Sequence, residues 1–80
     1  MNERVPLSIP QLGVIEDVVV LEWLRESGTT VATGDRVVLV ETDKAETELE
    51  SPADGVLEIV VAASDTEVPV GSVLAYVVTS

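Results

Sequence analysis

One residue carries most of the chemistry this sequence can offer. Lys44 is its only lysine, and the other cations are Arg4, Arg25 and Arg36. A guanidinium stays protonated near neutrality and offers no nucleophilic nitrogen. Apart from the chain terminus, Lys44 is therefore the only amine available to an acylating enzyme. It sits within Val40-Glu41-Thr42-Asp43-Lys44-Ala45-Glu46-Thr47-Glu48-Leu49, where two strand-like runs meet at a polar turn. A solitary lysine at the tip of a hairpin predicts a modification site. Asp43 suits the turn because its side chain can bond the local backbone. Ala45 adds little bulk beside whatever the lysine carries.

The remaining residue types exclude other chemistry. Histidine and cysteine are both absent, which removes the commonest general base, the commonest transition-metal ligand and any disulfide. No nucleophile–base pair is visible, so no catalytic residue is assigned and the chain is not read as an enzyme on its own. Glu41, Asp43, Glu46, Glu48 and Glu50 crowd the hairpin, and the last three share one strand face by their spacing. The Asp-x-Asp-x-Asp-Gly loop of a calcium hand is missing, so no metal site is predicted. A solvated, partner-facing edge is the better reading. The net charge of −11 repels nucleic acid and anionic membrane and favours basic patches on other proteins. No apolar run reaches membrane-spanning length, and no signal segment opens the chain. A soluble protein is the default reading.

The elements that must position Lys44 are strands. Eighty residues, 46% of them apolar, make one domain over 1–80 with a small core. Valine dominates the apolar set, which favours strands. Runs over Val5–Ile9, Val18–Leu24, Thr29–Ala32, Arg36–Thr42, Ala45–Glu50, Val56–Val61, Glu67–Val70 and Val73–Val78 alternate with turn signals. No segment has an apolar period near 3.6, so no long helix is predicted. Val37-Val38-Leu39-Val40 suggests a strand buried on both faces, or an edge with one face partly covered. Trp23 is read as core. The halves repeat: Val18–Leu24 aligns with Val56–Ala62, Val31–Gly34 with Val68–Gly71, and Arg36–Val40 with Val73–Val77. Gly34 and Gly71 fit turns needing positive φ. The predicted fold is all-β, a flattened two-sheet β-sandwich or barrel with internal pseudo-two-fold symmetry.

With these residues in register, the chain resembles the lipoyl domain of 2-oxo acid dehydrogenase complexes. The resemblance rests on Val40-Glu41-Thr42-Asp43-Lys44-Ala45, Glu48, Ser51-Pro52 and Gly55-Val56. It extends to Pro10-Gln11-Leu12-Gly13, Glu22-Trp23-Leu24, Gly34-Asp35 and Val70-Gly71, nearly the whole chain. It implies that Lys44 carries lipoate in amide linkage, attached by a lipoate ligase or lipoyl transferase. The lipoyl arm would be reductively acylated by a 2-oxo acid decarboxylase. It would pass the acyl group to coenzyme A at an acyltransferase core and be reoxidised by dihydrolipoamide dehydrogenase. Partner recognition is expected from the loop Gln11, Leu12, Gly13, Val14, Ile15 and Glu16, together with Glu41 and Glu46. The parent chain is expected to be a longer acyltransferase, with this as its N-terminal domain or a fragment. The resemblance places it in bacterial cytoplasm or the mitochondrial matrix. Ile9, Asp17 and Thr29 depart from the family's frequent methionine, glycine and aspartate.

Two other readings stand beside this one. A biotin-carrier domain shares the architecture, but its lysine is typically flanked by methionines, whereas here Asp43 and Ala45 flank Lys44 and the only methionine is Met1. A non-carrier β-sandwich that binds partners through its acidic face predicts a dispensable Lys44.

Overall fold

Branched aliphatic side chains pack well on a pleated surface, and the chain folds accordingly. A computed structural model describes residues 3–9, 17–42, 45–64 and 67–79. Among them are eight strands and no helix: β1 (Glu3–Ser8), β2 (Asp17–Trp23), β3 (Thr30–Val31), β4 (Arg36–Glu41), β5 (Glu46–Glu50), β6 (Gly55–Ile59), β7 (Glu67–Pro69) and β8 (Val73–Thr79). They form two four-stranded antiparallel sheets, β1-β8-β6-β3 and β5-β4-β2-β7. The all-β sandwich read from the sequence is the fold observed.

The internal two-fold is visible in the topology. Exchanging β1 with β5, β2 with β6, β3 with β7 and β4 with β8 converts one sheet order into the other. The turns repeat as well. Asp35 N donates to Ala32 O at 3.0 Å, as Ser72 N donates to Pro69 O at 3.1 Å. Ser51 N donates to Asp35 O and Gly34 N to Ser51 O; Ile9 N donates to Ser72 O and Gly71 N to Ile9 O. Gly34 and Gly71 have φ of 92° and 96°, the left-handed conformation that favours glycine.

The repeat runs one residue out of step with the sequence alignment in its first strand. Val19, not Val18, corresponds to Val56. Val19 lies between Glu41 and Glu67, as Val56 lies between Val78 and Thr30. Ser64 N donates to Val20 O where Gly28 N donates to Leu57 O. The run Val18-Val19-Val20 has no polar alternation to reveal its register, and β2 then carries a bulge between Val20 and Glu22, which adds a residue on one strand only.

A bulge also explains the apolar run of β4. Val37, Val38 and Val40 are buried while Leu39 is only half-buried. The register with β5 shifts between Arg36 and Val38, letting two consecutive valines face the core. The strand is thus buried on one face, with a bulge. Its counterpart in β8 behaves alike: Leu74 and Ala75 are both buried where the β1 register shifts. Leu7, Ile9, Val18, Val20, Val31, Leu49, Leu57 and Val77 complete the buried core. Trp23 is not a core residue in the full sense. Its ring packs against the core from its margin, half-buried, and its indole N–H donates to Val61 O at 2.9 Å. The polar edge of the ring needs a partner that the apolar interior does not supply.

Candidate functional site

The site is one end of the sandwich, set by where β4 finishes. At the start of β4, Asp35 is bonded to Ser51. Just before it, Thr33 is bonded to Asp54, and Val31 lies opposite Gly55, whose backbone meets Val78. The last residues of β8 and the first of β1 therefore lie near the start of β4. At the other end, Val19 faces Glu41 on β4 and Asp17 faces Pro69 on β7, followed by the Gly71-Ser72 turn. The end that holds Thr42 is thus the end where β8 begins.

There β4 and β5 are tied together by Thr42 and Ala45. Thr42 N donates to Ala45 O at 2.8 Å. The Thr42 hydroxyl donates to the same carbonyl at 3.1 Å and accepts the Ala45 N–H at 3.2 Å. Thr42 is buried, and Ala45 is exposed. Two residues, Asp43 and Lys44, join them in the chain, and both lie outside the described residues. The flanks therefore fix a hairpin with a two-residue connection, as the sequence suggests, and that connection carries the one lysine.

The acidic residues are partly assembled here. Glu41 and Glu46 are directly opposite on β4 and β5. Val19 continues the row on β2 and Glu67 on β7. Cross-strand neighbours share a face, so Glu46, Glu41 and Glu67 line the outside of this sheet, all exposed. Glu46, Glu48 and Glu50 share one face of β5 as expected, and all three are exposed. Glu48 is drawn to Arg36 at 3.4 Å, further from the tip. No grouping of carboxylates among the described residues could hold a metal ion.

Gln11, Leu12, Gly13, Val14, Ile15 and Glu16 lie outside the described residues, but both ends of their segment are placed. Ile9 is buried and exchanges two backbone hydrogen bonds with the Gly71-Ser72 turn. Asp17 opens β2 opposite Pro69. Ile9 and Asp17, which flank the segment, both lie at the Thr42–Ala45 end. Two features here escaped the sequence reading: the threonine clasp, and the pairing of Ile9 with the Gly71-Ser72 turn. The Val-x-x-Gly repeat marks the Gly71 turn itself but not its partner Ile9.

Comparisons with known proteins agree with this geometry. The biotin/lipoyl family profile, described as "Biotin-requiring enzyme", matches residues 5–77. The chain is 41% identical over 71 residues to a dihydrolipoyllysine-residue acetyltransferase component of pyruvate dehydrogenase complex from Mycobacterium bovis, covering 88% of this chain and 13% of that protein. It is 39% identical over 79 residues to the dihydrolipoyllysine-residue acetyltransferase component of an acetoin cleaving system from Pseudomonas putida, covering 98% of this chain and 21% of that protein. It is 37% identical over 57 residues to a dihydrolipoyllysine-residue succinyltransferase component of 2-oxoglutarate dehydrogenase complex from Buchnera aphidicola, covering 70% and 14%. The chain thus spans about a fifth or less of the length of these relatives.

Proposed function

This chain belongs to the biotin/lipoyl family of carrier domains, and we propose that within it the chain carries lipoate, in amide linkage to Lys44. The observation that carries this reading is the closure of β4 on β5 by Thr42 and Ala45, which leaves a two-residue connection bearing the only lysine. Attachment forms an amide between Nζ and the lipoyl carbonyl. With a lipoyl adenylate as donor, the acyl–phosphate bond breaks, AMP leaves and the amine's proton passes to solvent. The domain itself performs no catalysis; it presents and moves the group.

Once attached, the dithiolane supplies the chemistry, accepting an acyl group and electrons together. What the protein contributes is the tether. A group tethered to a domain within a complex reaches its partner sites at high local concentration. The relatives' names place them in 2-oxo acid dehydrogenase and acetoin-cleaving systems. By that likeness the parent chain is a dihydrolipoamide acyltransferase. Its partners would be a 2-oxo acid decarboxylase, the acyltransferase core and dihydrolipoamide dehydrogenase, in bacterial cytoplasm or the mitochondrial matrix. No helix among the described residues is long and apolar enough to cross a membrane. The acidic row Glu46–Glu41–Glu67 and the segment 11–16 would form the face that the decarboxylase reads.

The family spans two cofactors, and the flanks of Lys44 favour lipoate. The test offers the chain to lipoate ligase and to biotin ligase in parallel, each with ATP and its own acid. Modification by the first alone is expected. Biotin incorporation without lipoate incorporation would overturn the assignment.

A further inference from the structure

The Thr42 hydroxyl, we infer, positions Lys44 for the enzyme that attaches the cofactor; this rests on the reading that Lys44 takes lipoate. The bonds themselves motivate it. A two-residue connection is short, so its geometry depends on how firmly its flanks are tied. Here the hydroxyl does two jobs on one partner residue, accepting the Ala45 N–H at 3.2 Å and donating to the Ala45 carbonyl at 3.1 Å. With the Thr42 N–H at 2.8 Å from that carbonyl, three hydrogen bonds close the base of the connection. Thr42 is 9% exposed, so water does not readily replace the hydroxyl. Its branched Cβ narrows the rotamers available, which holds the oxygen where the bonds need it. Amide formation requires the amine close to the activated carbonyl and aligned with it, and loss of that alignment is costly in rate.

The two-fold supplies a built-in control. Thr79 makes the same bonds with Glu3: Glu3 N donates to the hydroxyl at 3.3 Å, and the hydroxyl donates to Glu3 O at 3.4 Å. That clasp joins the first and last strands, residues remote in sequence, and closes no short connection. If such clasps served stability alone, the two threonines would be equivalent. If Thr42 positions the lysine, they are not.

The experiment measures kcat/KM for lipoylation of the chain by lipoate ligase with lipoate and ATP, alongside the thermal unfolding midpoint. Thr42→Val removes both hydroxyl bonds while keeping the shape. It should lower kcat/KM about tenfold or more, with Thr42→Ser restoring most of the loss. Thr79→Val should shift the midpoint comparably and leave kcat/KM unchanged. In the unsubstituted chain, the Ala45 amide should be protected from hydrogen exchange, a measurement that does not depend on any variant folding. Parent-like lipoylation of Thr42→Val, equal slowing by Thr79→Val, or an unprotected Ala45 amide would each overturn the inference. A parent chain that the ligase leaves unmodified would instead overturn the carrier reading beneath it.

Discussion

A Cβ built on Gly55 would lie 2.3 Å from the carbonyl oxygen of Val78, so β6 can run this close to β8 only because residue 55 has no side chain. The contact is backbone to backbone, and neither strand can relieve it by a rotamer change. It occurs inside the sheet opposite Val31, at the end remote from Thr42. Gly55→Ala should therefore cost about 1–3 kcal/mol or more, as overpacking does, read as a lower denaturation midpoint. Gly34→Ala meets open space and is strained only by its φ of 92°, about 1–2 kcal/mol. Equal stability of Gly55→Ala and the parent would contradict the close approach.

Trp23 separates packing from hydrogen bonding. Trp23→Phe keeps most of the ring but drops the bond to Val61 O, at about 1 kcal/mol. Trp23→Ala should cost about 2–4 kcal/mol, below the full core range because the ring is half-buried. Both variants, while folded, should still be modified at Lys44. Chemical denaturation with intact-mass readout checks both halves.

The acid limb of stability should involve Asp54. Its carboxylate accepts the Thr33 N–H at 2.7 Å and the Thr33 hydroxyl at 3.0 Å. These bonds, the backbone one first, hold its carboxyl below the ordinary aspartate range. A depressed folded pKa gives stability that is present above the unfolded pKa and is lost as pH falls through the folded one. Asp54→Asn should therefore be less stable than the parent near neutrality, with the two melting curves converging at strongly acid pH. A gap that persisted or widened there would contradict the assignment.

The directly opposed Glu41 and Glu46 repel each other in the free domain. Glu46→Gln should leave stability unchanged or raise it by about 0.2–0.5 kcal/mol. If this row faces a basic patch on the decarboxylase, the same change should slow reductive acylation of the lipoylated domain at low salt. Added salt should shrink the difference. Kinetics identical to the parent at every ionic strength would place recognition elsewhere.

Much of the fold was legible because its signals are local. Gly34 and Gly71 marked two turns by the one property glycine has alone, and valine-rich runs marked the strands between turn residues. What escaped the sequence depends on pairing. Val18-Val19-Val20 reads the same in either register, so the bulge at β2 and the true match of Val19 with Val56 emerge only once partners are in place. Trp23 looked like an anchor of the core, yet its N–H holds it at the margin against Val61. Lys44 could be singled out because it is the only lysine. Thr42 could not, since nothing in its type distinguishes a clasp from any strand threonine.

The central claim is that Lys44 carries lipoate, and intact mass tests it most directly. The chain should be expressed in lipoate-replete cells, alone and as Lys44→Arg. The parent should gain the mass of one lipoyl group and become one charge unit more negative than −11. Lys44→Arg should stay unmodified, with an unfolding midpoint close to that of the parent. A lipoyl adduct that persists in Lys44→Arg, or a biotinyl adduct on the parent, would contradict the account.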